Sequence, residues 1–177
     1  LVFDNQKHIS ALEIPELRSR SFVCYSFGKT FHITGWKMGY CIAPEPLMDE
    51  FKKLHQFTVF SVNTPAQFAI AEYLEEETWK TLSGFFQKKR NKLLEHLKDS
   101  PLQATACEGT YFLTVDYSAL SNKEDHQFAI ELIKKVGVAT IPISVFYEKP
   151  PKDTRLRICF AKTDELLEKA GAQFKKL

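Results

Sequence analysis

The stretch "SFGKTFHITGWKMGY", residues 26–40, decides how the chain is read. It begins at the end of an apolar, β-rich run, "FVCYSF" (22–27), and leads into a second, "MGYCIA" (38–43). Both runs read as short buried strands, and the polar, glycine-containing segment between them reads as a loop that carries Lys29. Gly28-Lys29-Thr30 looks like the end of a phosphate-binding loop, whose pattern is G-x-x-x-x-G-K-[ST]. The first glycine of that pattern falls on Val23. The backbone nest that would cradle nucleotide phosphates is therefore missing.

Two readings of Lys29 remain. Most lysines are solvated surface charges. This one follows a buried-looking strand, and ligands of open α/β sheets bind at the carboxyl ends of strands. Ser26 stands three residues before it and Lys37 eight after. A hydroxyl and a second cation can hold a phosphate, and a nearby cation favours the neutral amine that Schiff-base chemistry requires.

The rest of the chain narrows the class. Its 177 residues suit one domain or slightly more, and 44% apolar with 26% charged residues is an ordinary globular composition. A net charge of +2 gives no argument for nucleic acid or an anionic membrane. No apolar run approaches the roughly 18 residues of a membrane span. Cys24, Cys41 and Cys159 lie in strand-like apolar runs and Cys107 stands apart, which suits buried reduced thiols and a cytoplasmic location. The five histidines are scattered, so no metal site is expected.

Pro46 opens a helix bearing Leu47, Phe51 and Leu54. In "NTPAQ" (63–67), Thr64 is the expected N-cap, with Pro65 in the first turn and Gln67 completing a capping box. A long helical stretch follows through Trp79, Leu82, Phe86, Leu93 and Leu97, with Pro101 beyond it. "TYFLTVD" (110–116), "GVATI" (137–141) and "RLRICFA" (155–161) read as strands. Ser121 and Glu124 predict a capping box before a helix that stops at Gly137, and Thr163 caps a final helix. The long loop 142–154 has the length of a functional loop. Residues 1–80 are expected to be part of a larger α/β layer, and residues 81–177 a linking helix with a small α+β domain.

The opening stretch resembles the S-x-x-K…G-x-[RK]-x-G-[YW] signature of class I aminotransferases, the fold-type I pyridoxal-phosphate enzymes. "FSVNTPAQ" (60–67), "EGTYF" (108–112) and "RICFAK" (157–162) resemble later blocks of that family, in order, and the wording is nearest to its methionine and kynurenine aminotransferase branch. The resemblance implies an α/β fold, here the end of the large αβα domain plus the small C-terminal domain. It implies pyridoxal 5'-phosphate as cofactor, amino-acid and 2-oxo-acid substrates, and a homodimer whose active site is shared across the interface. Lys29 takes the place of the Schiff-base lysine that also moves the substrate proton. Ser26 and Lys37 match phosphate-binding positions; many relatives have arginine at the latter, and lysine keeps the charge without the bidentate fork. Arg157 matches the arginine that clamps the substrate carboxylate, with Arg155 on the same strand face as the weaker candidate. Phe60 matches an aromatic that reaches the partner subunit's site, or else is a core residue. One of Tyr111 and Phe112 faces the substrate pocket, and Phe112 is the candidate. Asn63 is expected only near the start of a helix.

The aspartate that partners the cofactor's pyridine nitrogen, a stacking aromatic, and the tyrosine and asparagine of the ring oxygen have no counterpart in register. The chain opens at Leu1 within "LVFD", which looks like the end of a strand. The expectation is the C-terminal portion of an aminotransferase of apolar amino acids, inactive alone. A cysteine-conjugate β-lyase of the same fold and a non-catalytic dimerising module are the alternatives.

Overall fold

The two runs on either side of Lys29 pair with each other in the computed structural model, which describes residues 1–177. Contacts divide the chain into two compact units, Lys7–Thr81 and Leu1–Gln6 together with Leu82–Leu177. Each is described by itself.

In the Lys7–Thr81 unit, a short helix α1 (Pro15–Arg18) precedes strand β1 (Val23–Ser26). A helical turn α2 (Phe27–Thr30) follows, then a 3-10 turn (Thr34–Trp36) and strand β2 (Gly39–Ile42). The strands are antiparallel, from Val23 opposite Ile42 to Ser26 opposite Gly39. A Cβ at Gly39 would stand 2.5 Å from the Tyr25 carbonyl oxygen, so only glycine admits this close approach. Helices α3 (Glu45–Thr58) and α4 (Thr64–Glu75) complete the unit. Its small core is Met38, Ala66 and Ile70, with Phe27, Phe31, Ile33 and Val62 packed against them.

The other unit opens its long segment with α5 (Leu82–Leu97), followed by β3 (Gln103–Ala104), β4 (Phe112–Asp116), α6 (Asp125–Val136), β5 (Ile141–Pro142), β6 (Arg155–Cys159) and α7 (Asp164–Phe174). The strands form one antiparallel sheet in the order β3-β4-β6-β5. Period-two alternation sends Leu113, Val115, Leu156 and Ile158 to one face, where Leu93, Leu132, Leu167 and Phe174 of the helices cover them. Each such side chain contributes about 1.5–3 kcal/mol by leaving water. Gly137 ends α6 in the left-handed conformation, as its position at the end of the apolar periodicity predicts.

Residues 1–6 belong to this unit by contact. Phe3 is buried in its core and meets Phe160 at 6.1 Å between ring centroids. The Asp4 carboxylate takes two hydrogen bonds from the buried Arg90 guanidinium, at 2.6 and 2.7 Å, and Arg90 also donates to the Cys107 carbonyl. That bidentate bond holds the Asp4 carboxyl below the usual carboxylate range.

Several local expectations are corrected. The segment holding Lys29 contains two helical turns and is not an open loop. The cap of α4 is Asn63, whose Oδ1 accepts from the Ala66 amide at 2.9 Å, while Gln67 donates to the Val62 carbonyl, so no Thr64–Gln67 box forms. The long helix is interrupted by a 3-10 turn at Thr78–Thr81. Glu124 sits at the cap of α6 without a side-chain cap bond, because Ser121 Oγ accepts from the nearer Lys123 amide. Of the run 137–141 only Ile141 is strand, and the strand continues to Pro142. Leu54 of α3 is exposed. Cys24 and Cys159 are exposed and Cys41 half-buried, because alternation places them on strand faces that this chain's cores do not cover.

Two outcomes follow from the packing. A Cβ at Gly171 on α7 would lie 2.4 Å from the His96 Cβ of α5. Gly171→Ala therefore forces the helices apart and lowers stability by about 1–3 kcal/mol, read from denaturant midpoints. Tyr117 is fully buried and donates to the Lys123 carbonyl at 2.8 Å, and burial pushes its phenol up to about 12. Its neutral form therefore stabilises the fold fully below pH ~10 and progressively less as pH rises toward ~12. In Tyr117→Phe this part of the alkaline loss disappears, at a cost near neutrality of about 0.5–1.5 kcal/mol for the lost hydrogen bond. Unfolding midpoints collected from pH 7 to 12 read both effects.

Candidate functional site

The turn that carries Lys29 is fixed by its own aromatics. Phe27 and Phe31 lie four residues apart, on one side of α2, and their rings stack at 5.9 Å. Phe31 meets Tyr73 of α4 edge-on at 5.1 Å, and Phe27 meets Tyr40 of β2 at 4.9 Å. Both phenylalanines pack on the small core, and Lys29 between them is exposed. The Gly28 amide donates to the Met38 carbonyl at 3.4 Å. This bond joins the residue before Lys29 to the residue after Lys37, so the structure brings the two lysines' backbone segments together.

Within the Lys7–Thr81 unit, charge pairing separates these lysines from the other four. Lys7 pairs with Glu13, Lys52 with Asp49, Lys53 with Glu50 and Lys80 with Glu77. The remaining lysines of the Lys7–Thr81 unit, Lys29 and Lys37, have no carboxylate partner. Lys37 is held in the left-handed conformation at φ 56°, which a non-glycine residue adopts at a cost of about 1–2 kcal/mol. Ser26 heads α2 without spending its hydroxyl on a cap bond, although its carbonyl accepts from Thr30 Oγ1 at 3.3 Å. The donor set is thus one free hydroxyl and two unpaired ammonium groups, on segments joined by a hydrogen bond. That chemistry fits a phosphate ester with an aldehyde, as pyridoxal phosphate requires.

Arg157 is positioned by the sheet of the other unit. It stands at the middle of β6, opposite Thr114 of β4 on one side and Ile141 of β5 on the other. Its guanidinium lies over the Phe112 ring at 4.3 Å and the Phe146 ring at 4.7 Å. Stacking uses the faces of the guanidinium and leaves its in-plane N–H donors for a planar ligand. Arg157 takes part in no ion pair. Arg155 shares the strand face but is engaged by Asp153, with Nη2 2.5 Å from Oδ2 and Nε 2.9 Å from Oδ1. Only Arg157 is free for an incoming carboxylate.

The aromatic alternatives separate as well. Tyr111 packs against the core, edge-on to Phe86 at 5.2 Å, and burial raises its phenol. Phe112 is the one beside Arg157. Phe60 lies between α3 and α4, 81% exposed and at φ 66°, so it is not a core aromatic of its unit. Phe146 and Asp153 were not singled out from sequence. The loop length around 142–154 pointed to their neighbourhood, but no spacing pointed to the residues themselves.

The comparisons agree with the motifs. The profile of the aminotransferase class I and II family matches residues 1–174. A methionine aminotransferase of Escherichia coli is 47% identical over 99% of this chain and 46% of its own length. A kynurenine–oxoglutarate transaminase of Homo sapiens is 31% identical over 99% of this chain and 47% of its own. Among solved structures, an Escherichia coli protein described as having a methionine aminotransferase function superposes with a TM-score of 0.97 at 46% identity, covering 100% of this chain and 47% of that one. An N-succinyldiaminopimelate aminotransferase of Mycobacterium tuberculosis gives 0.91 at 28%, covering 99% and 47%. The chain spans about half the length of the curated relatives it matches. It belongs to the class I and II aminotransferase family.

Proposed function

We propose that the intact protein is a pyridoxal-phosphate aminotransferase that moves an amino group from an apolar amino acid, methionine or an aromatic one, to a 2-oxo acid. The observation that carries this reading is the pair of unpartnered lysines beside the free Ser26 hydroxyl, at the positions where the family's signature has its cofactor residues. The resemblance to the methionine and kynurenine branch supports the apolar donor.

Each residue has a distinct task. Lys29 would hold the cofactor covalently and, once freed, carry a proton at its Nζ. Ser26 and Lys37 would hold the phosphate, the hydroxyl by a directed hydrogen bond and the ammonium as a point charge. The cofactor supplies the electron sink for loss of the substrate's α-proton. Arg157 would orient the substrate through its carboxylate, and Phe112 would border the apolar side chain. Phe60 would serve the neighbouring subunit of a homodimer. Its exposure, with that of Leu54, Phe57 and Phe68 in the same unit, supports burial by a further protein surface. No helix is long and apolar enough to cross a membrane; we place the protein in the cytoplasm on the strength of its unpaired cysteines. The 1–80 and 81–177 regions correspond in this reading to the end of the cofactor-binding domain and to the small domain with its linking helix.

Borohydride reduction of the intact, cofactor-loaded protein followed by peptide mapping tests the central assignment. Pyridoxyl label is expected on Lys29, and Lys29→Ala should release the cofactor on denaturation and lose activity by at least about a thousandfold. Label on another lysine, or full labelling of the alanine variant, sinks the reading.

A further inference from the structure

Asp125, the first residue of α6, is only 3% exposed and has no cationic partner. A buried carboxyl must be satisfied by donors, and here three serve. The Ser144 amide donates to Oδ2 at 2.7 Å, the Ser144 hydroxyl to Oδ1 at 2.6 Å, and the His126 amide to Oδ1 at 2.7 Å. Two of the three come from Ser144, which begins the 3-10 turn Ser144–Phe146. That turn ends on the ring stacked under Arg157. Just upstream, β5 pairs Ile141 with Arg157 itself. The segment is thus tied to the Arg157 strand at one end and to α6 at the other. Phe146 is 57% exposed, so its own burial does little to fix it. Its place over the guanidinium is set by the backbone that Asp125 holds.

We infer that Asp125 and Ser144 are positioning residues for Arg157, acting through Phe146, and that Phe146 is a determinant of carboxylate affinity. The clamp between Asp125 and Ser144 holds the turn so that Phe146 covers a face of the guanidinium. A covered face leaves Arg157 its in-plane N–H edge as the way to bind, and restricts the rotamers it loses when a planar carboxylate docks. No proton or electron is transferred in this role. The inference rests on Arg157 being the substrate clamp, and its test separates the two ideas.

The probe is 3-phenylpropanoate, a carboxylate with an apolar tail and no amino group to react, titrated calorimetrically into the intact holoenzyme. KM and kcat for methionine and phenylalanine are measured alongside. Ser144→Ala and Phe146→Leu are expected to weaken the probe about three- to tenfold and to raise KM by a similar factor, with kcat within about twofold of the parent. Asp125→Asn should follow the same pattern, and the other two variants carry the test where it fails to fold. Arg157→Ala is expected to weaken the probe by more than all of these. If Arg157→Ala weakens the probe while Ser144→Ala and Phe146→Leu leave affinity and KM unchanged, the positioning role is wrong and the clamp stands. A fall in kcat as large as the rise in KM would also overturn it, as general damage to the site. If Arg157→Ala itself leaves binding unchanged, the clamp reading fails.

Discussion

The β4–β6 ladder is the constraint on which the second unit depends. It pairs five positions, from Phe112 opposite Cys159 to Asp116 opposite Arg155. Because side chains alternate, one register fixes both faces together. Leu113, Val115, Leu156 and Ile158 go to the core, and Phe112, Thr114, Arg155 and Arg157 go to the other side. A slip of β6 by one residue would bury two guanidinium groups and expose Leu156 and Ile158. The cost of that alternative makes the register, and with it the place of Arg157, a consequence of core packing. The terminal segment adds to the same core, since Phe3 and the Asp4–Arg90 bond close it beside Phe160 and Cys107.

A different device holds Lys29. No long ladder reaches it, and the two-stranded pairing ends at Ser26 and Gly39. The turn is secured by an aromatic chain from Tyr40 through Phe27 and Phe31 to Tyr73, with its lysine left outside. Lys37 takes the left-handed conformation where the 3-10 turn ends, two residues before the close strand approach at Gly39. Strained backbone of this kind persists where the surroundings over-determine it.

Elements with strong periodicity were legible in sequence. The runs at 110–116 and 155–161 are strands because alternating apolar residues there have a core to face, whereas those at 22–27 and 38–43 pair with each other although no residue of β1 or β2 is buried; Gly137 and Thr163 mark helix ends through local backbone chemistry that needs no distant partner. What escaped was decided by competition between near-equal local options. Asn63 beats Thr64 as a cap because its side chain reaches the Ala66 amide, and Ser121 is diverted to Lys123. The residues around Arg157 escaped for another reason. Phe146 and Asp125 meet their partners only through tertiary folding, eleven and nineteen residues away in sequence, and neither carries a spacing signal.

The contrast between the two arginines of β6 shows how a site is made specific without adding contacts to it. Arg155 and Arg157 point to the same face and differ by two residues, so as bare charges either could receive a carboxylate, in two registers. Asp153 removes that ambiguity by binding Arg155 through both its oxygens. Asp153 itself is held in place at its carbonyl side, where the Tyr117 hydroxyl approaches at 3.5 Å and the Tyr117 amide bonds to the next residue, Thr154. The buried phenol, the acid and the first arginine form a chain of fixed groups that ends where the free guanidinium begins. Sequestering one cation therefore does as much for orientation as presenting the other, because a ligand that meets a single unpaired guanidinium has a single way to dock.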